Sequence, residues 1–359
     1  MTGALGSYAP DDVTLLLTEL PDAGLELPAE VRQQLLRDGG HYAETLPIEY
    51  RPTPAYESLF EQLLASHASR VALLTAVLAQ RIVQEQHPSP VLVSLARAGT
   101  PVGVVLRRAL ARGGVDAPHY SVSIVRGRGI DRRALEHIIE RHGPEPIVFI
   151  DGWTGKGAIA RELAAALDDV VAQGGPRIAP ALGVLADTGH VCELFASRRD
   201  ELIPSACLNS TVSGLISRTV IRPDLLGEDA FHGVRIYREF ADRDVSRRYV
   251  DTITALLPSP GPALDEAVAA ARSEGPPDGR GWQAVLAVGR EYGIDDIHRI
   301  KPGVGETTRV LLRRVPDAVL VSPGHEADLS HILMLAAQRG VPVRERRDDI
   351  YACYGLIKP

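Results

Sequence analysis

The sequence predicts an α/β protein: a doubly wound, mostly parallel sheet followed by a second, smaller α/β domain. Three observations carry that prediction. Between residues 90 and 186 short apolar runs alternate with segments of helical period, the pattern of strands joined by crossover helices. Residues 258–280 interrupt it with prolines and glycines at both ends, as a linker does. A compact helix and strand pattern then restarts. The expected units are residues 1–257, a linker at 258–280 that contains a short helix, and residues 281–359.

Each element has its own signal. Residues 1–56 are punctuated by Pro and Gly, with a short helical pattern around Glu30–Leu36. From about Tyr56 to Gln86, Leu59, Leu63, Leu64, Val71, Leu74, Val77 and Leu78 recur at helical spacing, as one helix or two. Pro90–Ala96 is an apolar run of strand length, and a helix is expected over 101–113. Tyr120–Val125 and Ile147–Ile150 repeat the strand signal, followed by helices over Arg132–His142 and Gly157–Gln173. Ala181–Ala186 is a fourth strand. Beyond the linker, helices are expected at 282–292, 306–315 and 325–339, with strands at Ala318–Val321 and Val341–Arg344. Ligands of such sheets bind at the carboxyl ends of the strands, where the unusual loops of this chain fall.

Composition narrows the function classes. The 359 residues carry a formal net charge of −7 and are 45% hydrophobic but only 5% aromatic, so aliphatic side chains must fill the cores. Mild acidity argues against a protein coated in nucleic acid, but backbone N–H groups can hold an anion without net positive charge. Cys192, Cys207 and Cys353 are too few and too scattered for a disulfide framework, and no metal-ligand set stands out. The N-terminus lacks a basic stretch followed by an apolar run. No stretch of about 18 apolar residues suggests a membrane span. A cytoplasmic protein without a membrane partner is expected.

Two loops carry chemistry. In FIDGWTGKGAIARE an apolar strand ends at Asp151, and Gly152, Trp153, Thr154, Gly155, Lys156 and Gly157 lead into a helix. Glycines let a backbone approach a ligand closely, and a helix N-terminus offers unpaired N–H groups and a positive dipole end. Thr154 and Lys156 add a hydroxyl and a charge, and Asp151 is placed to accept hydrogen bonds from sugar hydroxyls. The alternative is an ordinary tight turn. A Walker A loop does not fit, since Gly157 follows Lys156 and residue 150 is Ile. In SLARAGTPVG, Arg97, Ala98, Gly99 and Thr100 precede a helix opened by Pro101, a second anion loop. Between them, Arg126, Arg128 and Asp131 flank two glycines. They form either a flexible loop over the site or a surface loop with Asp131 as helix cap.

The two anion loops together resemble the type I phosphoribosyltransferases. That family binds the 5′-phosphate and ribose of phosphoribosyl pyrophosphate (PRPP) on a Thr-Gly loop and pyrophosphate on an Arg-Gly-Gly or Arg-Ala-Gly loop. The resemblance implies Mg²⁺ held by the ligand's own oxygens, with Asp151, Arg126 and Arg128 catalytic. It places phosphate and ribose on Asp151–Gly157 and pyrophosphate on Arg97–Thr100. The chain departs from that pattern in two places: Gly152 replaces a second acid, and the loop is about two residues shorter. GHYAETLPIEYRPTP, IDGWTGKGAI, IPSACLNSTVSGLISRTV and RIKPGVGETTRVLLRRVP are also similar to the StiP-type proteins of tellurium-resistance and stress-response gene clusters. That likeness implies a phosphoribosyltransferase-like core and a Pelota-type RNA-binding C-terminal domain.

The expected function is therefore a phosphoribosyltransferase-like enzyme that takes PRPP or a related phosphorylated sugar and makes a nucleoside-like compound. One alternative is a non-catalytic nucleotide- and RNA-binding regulator. The other is a cysteine protease with Cys207 as nucleophile and His190 or His232 as base, against which a free cysteine is more often a buried apolar residue. Cys207, Asn209, Ser210 and Thr211 are expected to wall the substrate pocket. From Gly281 to the end there are 11 Lys/Arg and 10 Asp/Glu, a net of +1, so the remainder carries −8. Arg299, Lys301, Arg309, Arg313 and Arg314 cluster around KPGVGETTR and suit RNA phosphate. Packing on the core or a homo-oligomer contact is the competing use of that domain.

Overall fold

The first sheet grows from the apolar runs in the order that their crossovers dictate. In this computed structural model, which describes residues 5–357 except 22, 23, 228, 326 and 327, its strands are β1 (Thr14–Leu15), β2 (Val91–Ala96), β3 (His119–Val125), β4 (Ile147–Trp153), β5 (Leu182–Ala186) and β6 (Leu194–Ser197). They lie side by side as β1-β3-β2-β4-β5-β6. Every one of these pairings is parallel. The two-residue strand Gly129–Ile130 folds back antiparallel on β3.

Helix α1 (Pro54–Glu85) precedes β2, and α2 (Gly99–Arg112), α3 (Arg132–His142) and α4 (Ala158–Ala172) are the crossovers. The chain steps from β2 to β3 in one direction, then returns past β2 to β4 and β5 in the other. Right-handed crossovers therefore put α2 on one face and α3 and α4 on the opposite face. The reversal lies between β2 and β4, the position at which such sheets open a crevice.

Helix α1 is a single element of 32 residues, about 48 Å long. Thr53 caps it by accepting a hydrogen bond from the Tyr56 N–H, and Pro54 occupies its first turn. It corrects the expectation that no segment matches a membrane span. By length and composition it qualifies, yet most of its apolar stretch (61%) is buried inside the protein. It is the core helix against which α2, α5 (Ser246–Ala255) and α6 (Pro262–Ser273) pack.

The linker is not free chain: α6 is pinned to α1 by Gln80 with Asp265 (2.8 Å) and Arg272 with Glu85 (2.7 Å). Helix α7 (Arg280–Tyr292) leads into the second sheet of β7 (Ile300–Pro302), β8 (Ala318–Val321), β9 (Val343–Glu345) and β10 (Cys353–Leu356), ordered β7-β10-β8-β9. Strand β10 runs antiparallel to both neighbours, and β8 and β9 are parallel. Helices α8 (Gly303–Arg313) and α9 (Ser330–Gln338) complete this unit. Residues 326 and 327, where the last helix was expected to begin, lie outside the described residues.

Two boundary differences bear on function. Strand β4 continues past Asp151 through Gly152 and Trp153 because Trp153 pairs with Ala186 of β5; the expected loop is two residues shorter. Helix α8 starts at Gly303, so most of the expected loop around KPGVGETTR is helical. One apolar cluster runs from Val93 and Phe149 of the first sheet to Leu311 and Ile332 of the C-terminal unit, so the second unit is packed on the first.

Candidate functional site

The crevice between β2 and β4 opens as a cleft of about 330 Å³. Leu95–Ala98, Asp151, Trp153–Gly155 and Gly157–Ala160 line it from the sheet and α4, Tyr42 and Arg218 from segments outside the sheet, and Glu306, Arg309 and Arg313 from α8. The two anion loops are thus brought to one place, with a helix from the C-terminal unit closing over them.

The strand–loop–helix segment is built differently from the expectation. Gly157 takes a left-handed conformation (φ 77°), and Ala158, Ile159 and Ala160, the first turn of α4, line the cleft. That turn keeps the open N–H character of a helix start. The loop side chains do not. The Thr154 hydroxyl donates to Asp187 and accepts from the Gly189 N–H at 3.2 Å. The Thr154 N–H is spent on the Ala186 carbonyl at 2.8 Å.

Lys156 is only 1% exposed. Its Nζ donates to the Ile300 carbonyl at 2.5 Å and lies 3.4 Å from Glu306. The phosphate role expected for Thr154 and Lys156 is therefore corrected: one anchors the loop to β5, and the other ties the core to the C-terminal unit. A Cβ on Gly155 would fall 2.0 Å from Glu306 Oε1, so this glycine serves the approach of α8. Gly152 sits within β4, outside the cleft lining. Lys156→Met should cost about 1–3 kcal/mol, read as a fall in the urea midpoint; an unchanged midpoint would mean that the interdomain contact adds no stability.

The arginine loop is also only partly as expected. Arg97 lines the cleft and is 6% exposed. Its Nη1 donates to the Ile216 carbonyl at 2.8 Å and lies 3.7 Å from Glu49, and its Nε has no partner among the described residues. Ala98 lines the cleft beside it. Gly99 and Thr100 do not. A Cβ at Gly99 would lie 2.2 Å from the Ile150 carbonyl oxygen, and the fully buried Thr100 hydroxyl meets Ser121 at 2.8 Å. Both build the loop instead of facing a ligand.

Arg126 reaches the cleft, but Arg128 points away, exposed and 3.9 Å from Glu44. The glycine loop between them is a tight hairpin whose Gly127 and Gly129 N–H groups both donate to Glu162. Asp131 caps α3 through the Ala134 N–H.

Cys207, Asn209, Ser210 and Thr211 are not a wall of the cleft. Cys207 is fully buried, its carbonyl accepts a hydrogen bond from Tyr56, and burial drives its thiol far above the usual range. The Ser210 N–H donates to Glu49 at 2.8 Å, behind Arg97. Thr211 borders a separate hollow with Arg243 and Arg248. The candidate bases are elsewhere: His190 Nδ1 lies 3.6 Å from Asp278, and His232 Nδ1 meets the Ser123 hydroxyl at 2.8 Å. Neither histidine has a thiol partner among these contacts.

The residues that sequence reasoning left out of this site are cations and one organiser. Glu306, Arg309 and Arg313 recur at i, i+3 and i+7, hence on one face of α8. That spacing was the available signal. Arg309 lies over the Trp153 ring at 5.1 Å. Arg309 and Arg313 have no hydrogen bond or ion pair among the described residues. Burial, then the neighbouring Arg97, pushes Arg309 down to about 10. Burial, then Arg309, Arg97 and Arg218, holds Arg313 well below its usual value. Burial also pushes Arg218, beside Arg32 and Arg97, down to about 10. Values near 10 leave Arg309 and Arg218 charged at neutral pH. Asp151 faces them. Burial pushes its carboxyl up to about 6, against the opposing effects of the Gly152 N–H and Arg309. The organiser is Asp187, which fixes Thr154 and so the course of the loop behind the cleft.

Comparison with known proteins assigns the chain. Residues 6–254 match a family model described as tellurite-like stress resistance cysteine protease StiP, and residues 279–359 match a PELOTA RNA binding domain. A curated protein of Acinetobacter baylyi named Cysteine protease StiP is 38% identical, covering 99% of this chain and 94% of its own length. Two structures of hypoxanthine phosphoribosyltransferase from Trypanosoma cruzi with the product IMP, one of them a point mutant, overlay on half of the chain. They cover 93% and 87% of those proteins, with TM-scores of 0.27 and 0.26 and identities of 16% and 15%, a likeness too slight to carry an argument. These findings overturn the expected phosphoribosyltransferase function: the matching family and the curated relative are named for a protease, and nothing supports PRPP as a partner. The chain belongs to the StiP family and ends in a Pelota-type domain.

Proposed function

We propose that the chain is a phosphate-ligand receptor that holds a nucleotide-type anion in the cleft between the strand tips and α8. The observation that supports this reading is the group of cleft cations, above all Arg309 and Arg313, which have no hydrogen bond or ion pair among the described residues. Packing several buried guanidinium groups together, with Glu49 and Asp151 near them to offset part of the charge, costs free energy. An anion relieves that cost, and the first turn of α4 adds N–H donors to it. The volume suits a mononucleotide-sized ligand. Asp151 and Glu306 are the carboxylates that line the cleft, and no group of three His, Cys, Asp or Glu among the described residues is arranged for a metal. Mg²⁺ therefore enters this proposal as a counter-ion of the ligand's own oxygens.

Calorimetric titration of AMP and of sulfate, each with and without Mg²⁺, tests the reading; absence of binding throughout would remove it. The pH dependence has a definite sign. The Asp151 carboxyl, normally near 3.8, titrates in the folded protein near 6. Between those values the folded state binds the extra proton, so its contribution to stability is lost as pH rises through about 6. Neutral Asp151 also repels an anion less. Affinity for sulfate, which does not titrate in this range, should therefore rise as pH falls from 7 to 5. Asp151→Asn should flatten that profile, and an unchanged profile in the variant would dissociate Asp151 from the site.

A second reading is the peptidase that the family description names. Cys192, Cys207 and Cys353 are all buried, and burial raises each thiol well above its usual value, the reverse of an activated nucleophile. Cys207→Ala is expected to leave any peptide hydrolysis by the purified chain unchanged. Its abolition, with folding intact by circular dichroism, would establish the thiol mechanism.

A further inference from the structure

The cleft does not end at α8. A second hollow of about 410 Å³ continues from it over the C-terminal unit. The two share Arg126, Trp153, Glu306, Arg309 and Arg313, and the second adds Arg299, Lys301 and Arg314. Arg299 and Arg314 have no side-chain hydrogen bond or ion pair among the described residues. The half-buried Trp153 indole stands at the junction, against the Gly305 backbone, where a Cβ would come within 2.1 Å of the ring. The inner end of the cleft is closed by buried strand residues such as Leu95 and Leu182, 2% and 5% exposed.

We propose that the two hollows form one groove for the end of a single-stranded RNA, with its terminal phosphate in the cleft, its last base against Trp153 and its preceding phosphates on Arg299, Lys301 and Arg314. This rests on the phosphate reading of the cleft. The physical argument has three parts. A row of cations leading away from an anion pocket matches a polyanion, which a free mononucleotide is not. An aromatic ring beside that row is the usual platform for an unpaired base. A blind inner end admits a chain terminus but not a strand passing through. A cleft of this volume excludes a duplex end, so the occupant is single-stranded. The hollow lies in the part of the chain that matches an RNA-binding domain, which favours RNA over a peptide polyanion.

The test uses the full chain and fluorescein-labelled eight-nucleotide RNAs that carry a 5′-phosphate, a 3′-phosphate or hydroxyls at both ends. Anisotropy titrations should show one phosphorylated end bound about tenfold or more tighter than the hydroxyl form, the loss of one charge-assisted contact. The arm that gains identifies the strand polarity. Arg299→Ala with Arg314→Ala should weaken oligonucleotide binding about tenfold and leave calorimetric AMP affinity unchanged, since neither residue lines the cleft. In a Trp282→Phe background, Trp153 fluorescence should change on binding. Equal affinity for all three RNAs, insensitivity to the double variant, or equal binding of duplex would overturn the groove while leaving the AMP site intact. Loss of AMP binding in the unaltered protein would instead overturn the phosphate reading beneath it.

Discussion

Asp187→Ala should cost about 3–5 kcal/mol of stability, a large share of what holds an ordinary domain folded. The carboxylate is fully buried at the end of β5. It accepts from the Thr154 hydroxyl, from the Val191 N–H at 3.1 Å and the Cys192 N–H at 3.0 Å, and from the Arg198 guanidinium, whose side chain is only 3% exposed. Alanine would leave that guanidinium buried without its carboxylate and three donors without an acceptor. Burial alone raises the Asp187 pKa despite these bonds, which shows how much desolvation the pairing must offset. Urea unfolding followed by circular dichroism measures the effect. Asp187→Asn, which keeps an acceptor for Thr154 but not the charge for Arg198, should fall between the two. A loss below about 1 kcal/mol in the alanine variant would mean that Arg198 finds water or another partner, and that the loop does not depend on this residue.

The second large effect concerns binding and has the opposite sign for stability. Arg309→Ala with Arg313→Ala should weaken AMP binding by about a hundredfold or more, from two charge-assisted contacts. It should leave the melting temperature of the ligand-free protein unchanged or raised. Burial first, and then the neighbouring arginines, disfavour the charges of Arg309 and Arg313, so removing both relieves that cost while it empties the site. Arg309 also rests on Trp153, so Arg309→Met is the control that keeps the packing and removes the charge. Calorimetry and thermal melts read the two halves separately. A melt several degrees lower, with affinity retained, would make these arginines structural.

Much of the architecture was legible because its signals are local. The apolar runs at β2, β3, β4 and β5 have no competing reading once helical periods separate them. Arg132–His142 was legible to its ends because Asp131 caps it and Gly143 follows it. Strands β1, β6, β7 and β10 were missed. They are two to four residues long and exist through pairing with distant strands, not through their own propensity. The cleft was half legible. Glycines at strand tips announced it, and Arg97, Asp151 and the first turn of α4 do face it.

Local pattern settled the mostly parallel sheet and the two loops at the carboxyl ends of its strands; the point at which the winding reverses came only from the strand order. Local pattern also could not settle which polar groups remain free to meet a ligand. Lys156 looks like a phosphate ligand in its own loop, but its partners are Ile300 and Glu306, 144 and 150 positions away. Thr154 finds Asp187, 33 positions away. A buried donor bonds to the nearest acceptor in space, because leaving it unmet costs more than any one bond returns. Only the packed structure says which acceptor that is. The same packing brought Arg309 and Arg313, which the sequence placed in a separate domain, over the strand tips as the charges that the loop lysine had been expected to supply.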